Sequence, residues 1–367
     1  METKRIYVDP ENKTSLCDGN SLEDAVREGA ELLCQGEVVA FPTETVYGLG
    51  ADALNERACA RIFAIKGRPA DNPLIVHVTS IREAKKIVKE WPDEAEICAR
   101  EFWPGPLTLV LPKNKIVPDI VSGNLQTVAV RMPSHPVALA LIAMAGCPVA
   151  APSANISGKP SPTEGKHVWQ DFQDKIPLLI DAGKCIVGLE STVLDLSGEI
   201  PIILRPGGVT LEQLAKVLGR VEIDKGAKGK SEVLSQPRSP GMKYRHYAPK
   251  GEIQLISGQS QEKVEELGRR LEGEKSNKRV ALICLEETVA SLTAEALGKI
   301  DLLFTLGTRE KPREAASRLF EALRICDEED IEIILAEDMP EEGIGLAFMN
   351  RLKKAVGKGN LKKTEKI

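Results

Sequence analysis

Four segments of the chain place hydroxyl, amide or basic side chains beside glycine and proline, directly after apolar runs with β-strand character. They are FPTETVYGLG from Phe41, IKGRPADNPL from Ile65, VAAPSANISGKPSPT from Val149 and ILRPGGVT from Ile203. Lysine offers a phosphate group a point charge, arginine offers a bidentate fork, and hydroxyls and amides complete the shell without excess charge. The combination favours a polyphosphate ligand. All four segments lack the GxxxxGKS/T cradle, which disfavours a P-loop nucleotidase.

Each of these segments, taken singly, is also what ordinary turn chemistry produces. Ligands collect at the ends of strands in open α/β sheets, so the coincidence of four such segments indicates one shared pocket. The side chains that this pocket would use for phosphate are Lys66, Arg68, Ser153, Asn155, Ser157, Ser161 and Arg205.

Local signals define the elements around the segments. Asn55 is a helix N-cap, ERACARIFAI is the helix and Gly67 follows it as C-cap, so Lys66 and Arg68 flank a helix-to-strand turn. Further β-rich runs follow, several of them too close together for helical crossovers. Residues 1–220 therefore predict an α/β domain with a twisted, mixed, open sheet.

Residues 251–367 alternate strand and helix patterns, beginning with EIQLIS and ending with GLAFMNRLKKAV. This alternation predicts a smaller parallel α/β domain of Rossmann-like type. The segment between the two domains, residues 221–250, has seven basic and three acidic residues, whereas both flanking domains are acidic. It is rich in Gly, Pro, Ser and Lys, as linkers are, and holds two of the four tyrosines.

Composition excludes several classes of protein. The formal charge of -5 over 367 residues does not match a protein that mainly holds a nucleic-acid backbone. Eight scattered cysteines and four isolated histidines predict neither a disulfide framework nor a protein-ligated metal. Because no apolar run reaches the roughly 20 residues of a membrane span and no secretory signal is visible, we expect a cytoplasmic protein.

The ordered set of FPTETVYGLGADA, K-x-R in IKGRPADNPL, S-x-N in APSANISGKPSPT, ESTVLDL, ILRPGG and SPGMKYRHYAP resembles the L-threonylcarbamoyladenylate synthases. The match is to the long form, which joins an N-terminal YrdC-like domain to a smaller C-terminal domain. It covers essentially the whole chain and is strongest in residues 20–215 and in the linker.

The resemblance implies a reaction in which L-threonine, bicarbonate and ATP give threonylcarbamoyl-AMP and pyrophosphate. Mg2+ is expected with the ATP, and no organic cofactor is expected. A tRNA threonylcarbamoyl transferase complex would then pass the group to the adenosine next to the anticodon, with at most a weak tRNA contact by this chain and no membrane contact.

The resemblance also carries over roles residue by residue. Lys66 and Arg68 would grip the phosphates and matter most for catalysis, and Arg131 would receive the threonine carboxylate. The other ATP contacts would be Asn72, Thr127, Ser153, Asn155, Ser161, Arg205, Tyr244 and His246. The L-threonine pocket would consist of Thr45, His77, Arg131 and Ser191. No metal ligand is expected from protein side chains.

Structural roles remain open beside these. His77, among apolar residues, is equally a hydrogen-bonded core histidine. Arg131 at a strand end is equally a surface cap, and Thr43, Thr45 and Ser191 are equally turn or cross-strand hydroxyls. Asp52 and Asp195 are expected to be structural, and the sequence singles out no general base for the threonine amine.

Residues 221–250 have a predicted role of their own, a basic lid over the occupied site with Tyr244, Arg245 and His246 as its central residues. The alternative is a passive tether. For the whole chain, the alternative function is a double-stranded RNA or tRNA binding module without turnover. A carbamoyl-handling domain of a hydrogenase maturation factor fits less well, because the zinc-finger and acylphosphatase-like segments of such factors are missing.

Overall fold

The computed structural model describes residues 1–9, 22–227, 246–258, 260–273 and 278–357. The chain divides into two compact units. The first comprises Met1–Ser157 and Ser161–Tyr244, and the second comprises Gly158–Pro160 and Arg245–Ile367. Tyr244, Arg245 and most of the basic segment lie outside the described residues, and so does the prediction that this segment forms a lid.

Strands of the first unit are short and follow one another closely. In chain order they are β1 (Lys4–Tyr7), β2 (Val39–Phe41), β3 (Gly48–Asp52), β4 (Ile75–His77), β5 (Leu107–Pro112), β6 (Thr127–Arg131), β7 (Val149–Ala150), β8 (Leu178–Asp181), β9 (Thr192–Asp195), β10 (Ile202–Arg205) and β11 (Glu222–Ile223).

Helices of the first unit alternate irregularly with these strands. They are α1 (Leu22–Cys34), α2 (Glu56–Lys66), α3 (Ile81–Ile87), α4 (Asp93–Phe102), α5 (Asp119–Ser122), α6 (Pro136–Ala145), α7 (Gly165–Phe172) and α8 (Leu211–Leu218).

Within the described residues, the strands of the first unit form one sheet in the order β1-β8-β2-β3-β7-β4-β6-β5-β9-β10-β11. Parallel pairs such as β4 with β6 and β5 with β9 lie beside antiparallel pairs such as β5 with β6 and β9 with β10. The prediction of a mixed sheet is confirmed. Because β11 pairs with β10, the unit extends a few residues beyond position 220.

Strand β3 occupies a stretch that the sequence analysis assigned to a loop. Gly48 and Gly50 explain the difference, because they let β3 pair antiparallel with β2 directly beneath the Phe41 ring. A Cβ at Gly50 would lie 2.6 Å from Phe41 Cε1 and 2.7 Å from Val149 Cγ1. Glycines in a strand have no side chains to pack, so side chains of neighbouring strands fill the space above them. The sequence of such a strand therefore resembles that of a loop.

Helix α2 forms as its capping signals predict. The Asn55 side chain accepts from the backbone N–H groups of Arg57 (3.1 Å) and Ala58 (3.2 Å), and Gly67 ends the helix with a left-handed φ of 59°. Asparagine at the N-cap and glycine after the last turn satisfy the free backbone groups of the helix ends. Lys66 is thereby fixed on the last turn of α2, on its buried side.

Two apolar clusters pack helices of the first unit against its sheet. The larger cluster packs α2, α3 and α4 against one face of the central strands, and includes Val76, Leu109 and Val130. The second packs α1 against α6 over β1, β8 and β2. Residues adjacent to Val76, Leu109 and Val130 along their strands point to the opposite face, where the functional candidates lie.

The second unit has a smaller sheet, as predicted. Its strands are β12 (Glu252–Ile256), β13 (Val280–Cys284), β14 (Leu302–Thr305) and β15 (Ile333–Glu337), all parallel in the order β12-β15-β13-β14. Its helices are α9 (Ser260–Gly273), α10 (Glu286–Ala290), α11 (Ala294–Leu297), α12 (Pro312–Glu328) and α13 (Ile344–Val356).

A buried polar network closes the end of this second sheet. Glu337 accepts from Lys263 Nζ (2.9 Å), from the Leu285 N–H (2.9 Å) and from Thr288 Oγ1 (2.7 Å). Hydrogen bonds of this kind offset the cost of burying a carboxylate. No helix within the described residues is long and apolar enough to cross a bilayer.

Gly207 is required by close backbone packing, which a substitution can test. A Cβ there would lie 2.3 Å from Thr192 N and 2.4 Å from Glu190 O, both rigid backbone atoms. We expect Gly207→Ala to lower the free energy of unfolding by about 3 kcal/mol, the upper range for overpacking. Urea denaturation followed by tryptophan fluorescence measures this, because all three tryptophans, Trp91, Trp103 and Trp169, lie in the first unit.

The control is Gly198→Ala, since a Cβ at Gly198 meets no atom within 4 Å. That variant should stay within about 0.5 kcal/mol of the parent protein. Equal stability of the two alanine variants would contradict the packing argument.

Candidate functional site

Strand register brings the amino-acid-binding candidates onto one face of the sheet. His77 on β4 pairs with Arg131 on β6, and Arg131 pairs with Thr108 on β5. Paired residues on neighbouring strands point to the same face. His77, Arg131 and Thr108 therefore form a polar row, on the face opposite the larger apolar cluster.

Arg131 is buried, with 3% of its surface exposed, which rules out the surface-cap interpretation. Its Nε donates to the Gly105 carbonyl (3.2 Å), Nη1 donates to Thr45 Oγ1 (3.0 Å) and Nη2 donates to Glu44 Oε1 (2.6 Å). A buried guanidinium needs such partners, because removing it from water is costly. Of its five N–H groups, two have no hydrogen bond within the described part of the chain, one on each terminal nitrogen.

His77 is a buried, neutral neighbour of this arginine. Its Nδ1 lies 3.1 Å from the Ile75 carbonyl oxygen. Burial, with a smaller contribution from the positive charge of Arg131, lowers the pKa of His77 to about 3. The structure thus combines the two interpretations of His77: it is buried and hydrogen-bonded, and it lies in the polar row.

The Thr43–Val46 turn presents Thr45 to Arg131. Thr43 Oγ1 accepts from the backbone N–H groups of Thr45 and Val46 (both 3.2 Å), donates to the Val46 carbonyl (2.6 Å) and lies 2.8 Å from Thr45 Oγ1. Thr43 is therefore a turn hydroxyl, as its structural interpretation proposed. Thr45 instead contacts the buried guanidinium.

Ser191 joins the far end of the row. Its Oγ lies 2.7 Å from Thr108 Oγ1, and Arg205 Nη2 donates to the Ser191 carbonyl (3.0 Å) and hydroxyl (3.2 Å). Arg205 is buried as well. This cation, predicted from the phosphate-binding pattern, thus lies directly against a residue predicted for the amino acid.

Lys66 and the 153–155 segment form a second cluster. The Lys66 ammonium donates to the carbonyl oxygens of Ser153 and Asn155, and the Ser157 N–H donates to the Lys66 carbonyl (3.0 Å). Ser153 Oγ donates to Asn155 Oδ1 (2.5 Å). The K-x-R and S-x-N motifs, 87 residues apart, meet here.

Arg68 and Asn72 shape the turn after α2. Arg68 Nε donates to the Asn72 carbonyl (3.2 Å), and its Nη2 donates to the Pro73 carbonyl (2.8 Å). Asn72 is 1% exposed, and its Oδ1 is a buried acceptor with no hydrogen-bond partner among the described residues. A buried, unpaired acceptor is costly unless a ligand or water satisfies it.

Residues 43–48 connect the two clusters. Thr45 lies against Arg131, while Gly48 forms an antiparallel bridge with Ser153, and the Ala154 N–H donates to the Tyr47 carbonyl (2.7 Å). Ser161 Oγ donates to Glu190 Oε1 (2.6 Å), which ties the 161–163 segment to the residue before Ser191. The hydroxyl-rich segments therefore converge.

Three predicted ATP contacts make no hydrogen bond to the two clusters that the described residues show. Thr127 begins β6, four residues before Arg131, and its side chain makes no hydrogen bond to another described residue. His246 belongs to the second unit, where its ring is tilted against that of Tyr247, and the Tyr247 ring centroid lies 5.0 Å from that of Phe320. Tyr244 lies outside the described residues.

The sequence analysis missed Glu44, Thr108 and Glu190. Glu44 lies between Thr43 and Thr45, and it is the carboxylate of a segment already singled out for its hydroxyls, so the sequence held a signal for it. Thr108 could be found only from strand register. Asp52 and Asp195 accept from nearby turn N–H groups, in agreement with their predicted structural roles.

Two family models match consecutive parts of the chain. One, described as telomere recombination, matches residues 31–207, and the other, described as threonylcarbamoyl-AMP synthase, C-terminal domain, matches residues 209–357. Both clusters of the candidate site lie within the first match.

Curated relatives extend over most of the chain. The threonylcarbamoyl-AMP synthase of Pyrococcus abyssi is 50% identical over 335 residues, covering 90% of this chain and 94% of the relative. That of Bacillus subtilis is 44% identical over 358 residues, covering 97% of this chain and 99% of the relative. The crystal structure of P. abyssi Sua5 complexed with L-threonine superposes with a TM-score of 0.88 at 45% identity, over 97% of this chain and 98% of that one.

Burial of His77 predicts a specific pH dependence. Its pKa is about 3 in the folded chain and about 6.5 when unfolded. Between these values the unfolded state holds one proton more, so this residue's contribution to stability falls as the pH drops below about 6.5. The free energy of unfolding of both proteins is compared at pH 7.5 and at pH 5.5. We expect the decrease between these pH values to be about 1.4 kcal/mol smaller in His77→Gln than in the parent protein.

Urea denaturation at the two pH values measures this difference, and the contributions of other groups cancel between the two proteins. Identical losses in both proteins would show that His77 titrates normally in the folded state.

Proposed function

The chain belongs to the threonylcarbamoyl-AMP synthases, enzymes of the nucleotidyltransferase type, and we propose that the two clusters of its first unit form the core of the active site. The observation that supports this assignment is the convergence of two clusters on residues 43–48. One cluster contains a buried arginine suited to a carboxylate, and the other contains a lysine and neutral donors suited to phosphates.

The reaction needs positioning more than covalent participation by the protein. The threonine amine and bicarbonate form a carbamate and water. A carbamate oxygen then bonds to the α-phosphorus of ATP while the bond from that phosphorus to the β-phosphate oxygen breaks, and pyrophosphate leaves. Negative charge shifts to the pyrophosphate, so fixed cations and hydrogen-bond donors stabilise the transition state.

We assign L-threonine to the polar row. Its carboxylate would accept from the two remaining N–H groups of Arg131, and neutral His77 would offer a hydrogen bond without a competing charge. Thr45 and Ser191 line the same row and would contact the amino acid's polar atoms. The crystal structure of the P. abyssi relative with L-threonine supports this substrate.

We assign ATP to the second cluster. Lys66 and Arg68 would meet the phosphates, with Asn72, Ser153, Asn155 and Ser161 supplying neutral partners. Arg205 would reach the nucleotide from its position against Ser191. Thr127, Tyr244 and His246 are proposed as further ATP contacts from the family resemblance alone.

Mg2+ would arrive with the triphosphate. We propose that phosphate oxygens and water would supply its ligands. The described residues hold no group of three or more His, Cys, Asp or Glu side chains fit for a metal ion. Asn72 Oδ1 fits this arrangement as an acceptor for a metal-bound water. When bound, Mg2+ neutralises phosphate charge.

Bicarbonate as the carbon source, a cytoplasmic location and transfer of the product to tRNA by a separate complex complete the proposal. The named relatives are synthases, which favours this function over an RNA-binding module without turnover.

Pyrophosphate release from ATP that requires both L-threonine and bicarbonate tests the function. We expect Lys66→Met to reduce this release by at least about 100-fold, as does loss of a preorganised donor at other phosphoryl or acyl sites. Lys113→Met is the matched control, because Lys113 is another largely buried lysine of the first unit, held by Asp119 and Ser122 outside both clusters.

The control should keep activity within about twofold. Pyrophosphate release that is indifferent to L-threonine, or tight tRNA binding without turnover, would contradict the proposed function.

A further inference from the structure

Glu44 is buried in the middle of the proposed L-threonine site, although no part of the reaction uses it directly. Its side chain is 8% exposed, and its two oxygens have different partners. Oε1 accepts from Arg131 Nη2 (2.6 Å), and Oε2 accepts from the Ser134 N–H (3.1 Å). The carboxylate is thus anchored to the backbone at one oxygen and holds the guanidinium with the other.

The backbone of Glu44 is fixed as well. Its carbonyl accepts from the Val187 N–H (2.8 Å), and the next residue, Thr45, contacts Arg131 Nη1 (3.0 Å). The Gly105 carbonyl accepts from Nε of the same arginine. The guanidinium is therefore held at all three nitrogens, and a planar fork held in this way has a single orientation.

We propose that Glu44 is the positioning residue for Arg131, and that it sets the affinity for the carboxylate of the amino-acid substrate without affecting ATP. The inference rests on the proposed function. Glu44 keeps the two remaining N–H groups of Arg131 in a fixed direction, and its negative charge balances the buried cation. The Glu44–Arg131 pair is net neutral, which matches an amino acid that arrives as a zwitterion.

Binding of L-threonine and of a non-hydrolysable ATP analogue, measured by calorimetry on the full chain, tests the proposal. We expect Glu44→Gln to weaken L-threonine binding by at least about tenfold, since small misplacements of a positioning group have effects of this size. Binding of the ATP analogue should change by less than about twofold. L-threoninol, which lacks the carboxylate, should bind the parent protein and the variant equally well.

Glu44→Asp separates orientation from charge. Aspartate keeps the negative charge but is one methylene shorter, so it cannot reach both the Ser134 N–H and Arg131. We expect the same loss of L-threonine affinity as in Glu44→Gln. Wild-type affinity in the aspartate variant would show that only charge matters and would overturn the positioning role. This variant also decides the question if Glu44→Gln does not fold.

Glu337→Gln is the matched control, because Glu337 is an equally buried carboxylate paired with a cation, Lys263, in the second unit. It should lower thermal stability and leave both affinities unchanged. If the parent protein binds no L-threonine, the proposed function fails. If the parent binds it and both Glu44 variants bind it equally well, only the positioning role fails.

Discussion

Burial of the Arg131 guanidinium is the constraint on which the site depends. A cation in the interior is tolerated only when its N–H groups find acceptors and its charge finds a partner. Here the acceptors come from two separate places in the chain: Gly105, and the consecutive residues Glu44 and Thr45. Meeting this requirement fixes the 43–48 segment against the end of β6. Because the same segment bridges to Ser153, the position of the cluster around Lys66 follows from it.

The features that the sequence predicted correctly are determined by residues close together in the chain. Helix α2, which ends at Lys66, is flanked by an asparagine N-cap and a glycine C-cap, and it forms between those two residues. The mixed sheet followed from strand spacing, and the parallel sheet of the second unit followed from its alternation of strand and helix. In each case the deciding interactions join residues that are close in the chain or follow from general chain geometry.

The remaining features depend on register and packing between distant segments, which one sequence does not display. Thr108 lies beside Arg131 only because β5 pairs with β6 in one register. Glu44 is matched to Arg131 across 87 residues. Strand β3 has a loop-like sequence because its glycines accommodate Phe41 and Val149, a role that appears only once the sheet is assembled.

The two clusters differ in how they treat their cations, and the difference matches their proposed ligands. Carbonyl oxygens of Ser153 and Asn155 accept from the Lys66 ammonium and fix its position, beside the neutral donors proposed for the triphosphate. Arg131 is instead paired with a carboxylate, which leaves a pocket with balanced charge beside a histidine that burial keeps neutral. A zwitterion adds no net charge to such a pocket, whereas an uncompensated anion would bring in a buried charge at considerable cost. The charge balance around Arg131 therefore suits the zwitterion that we propose for the polar row.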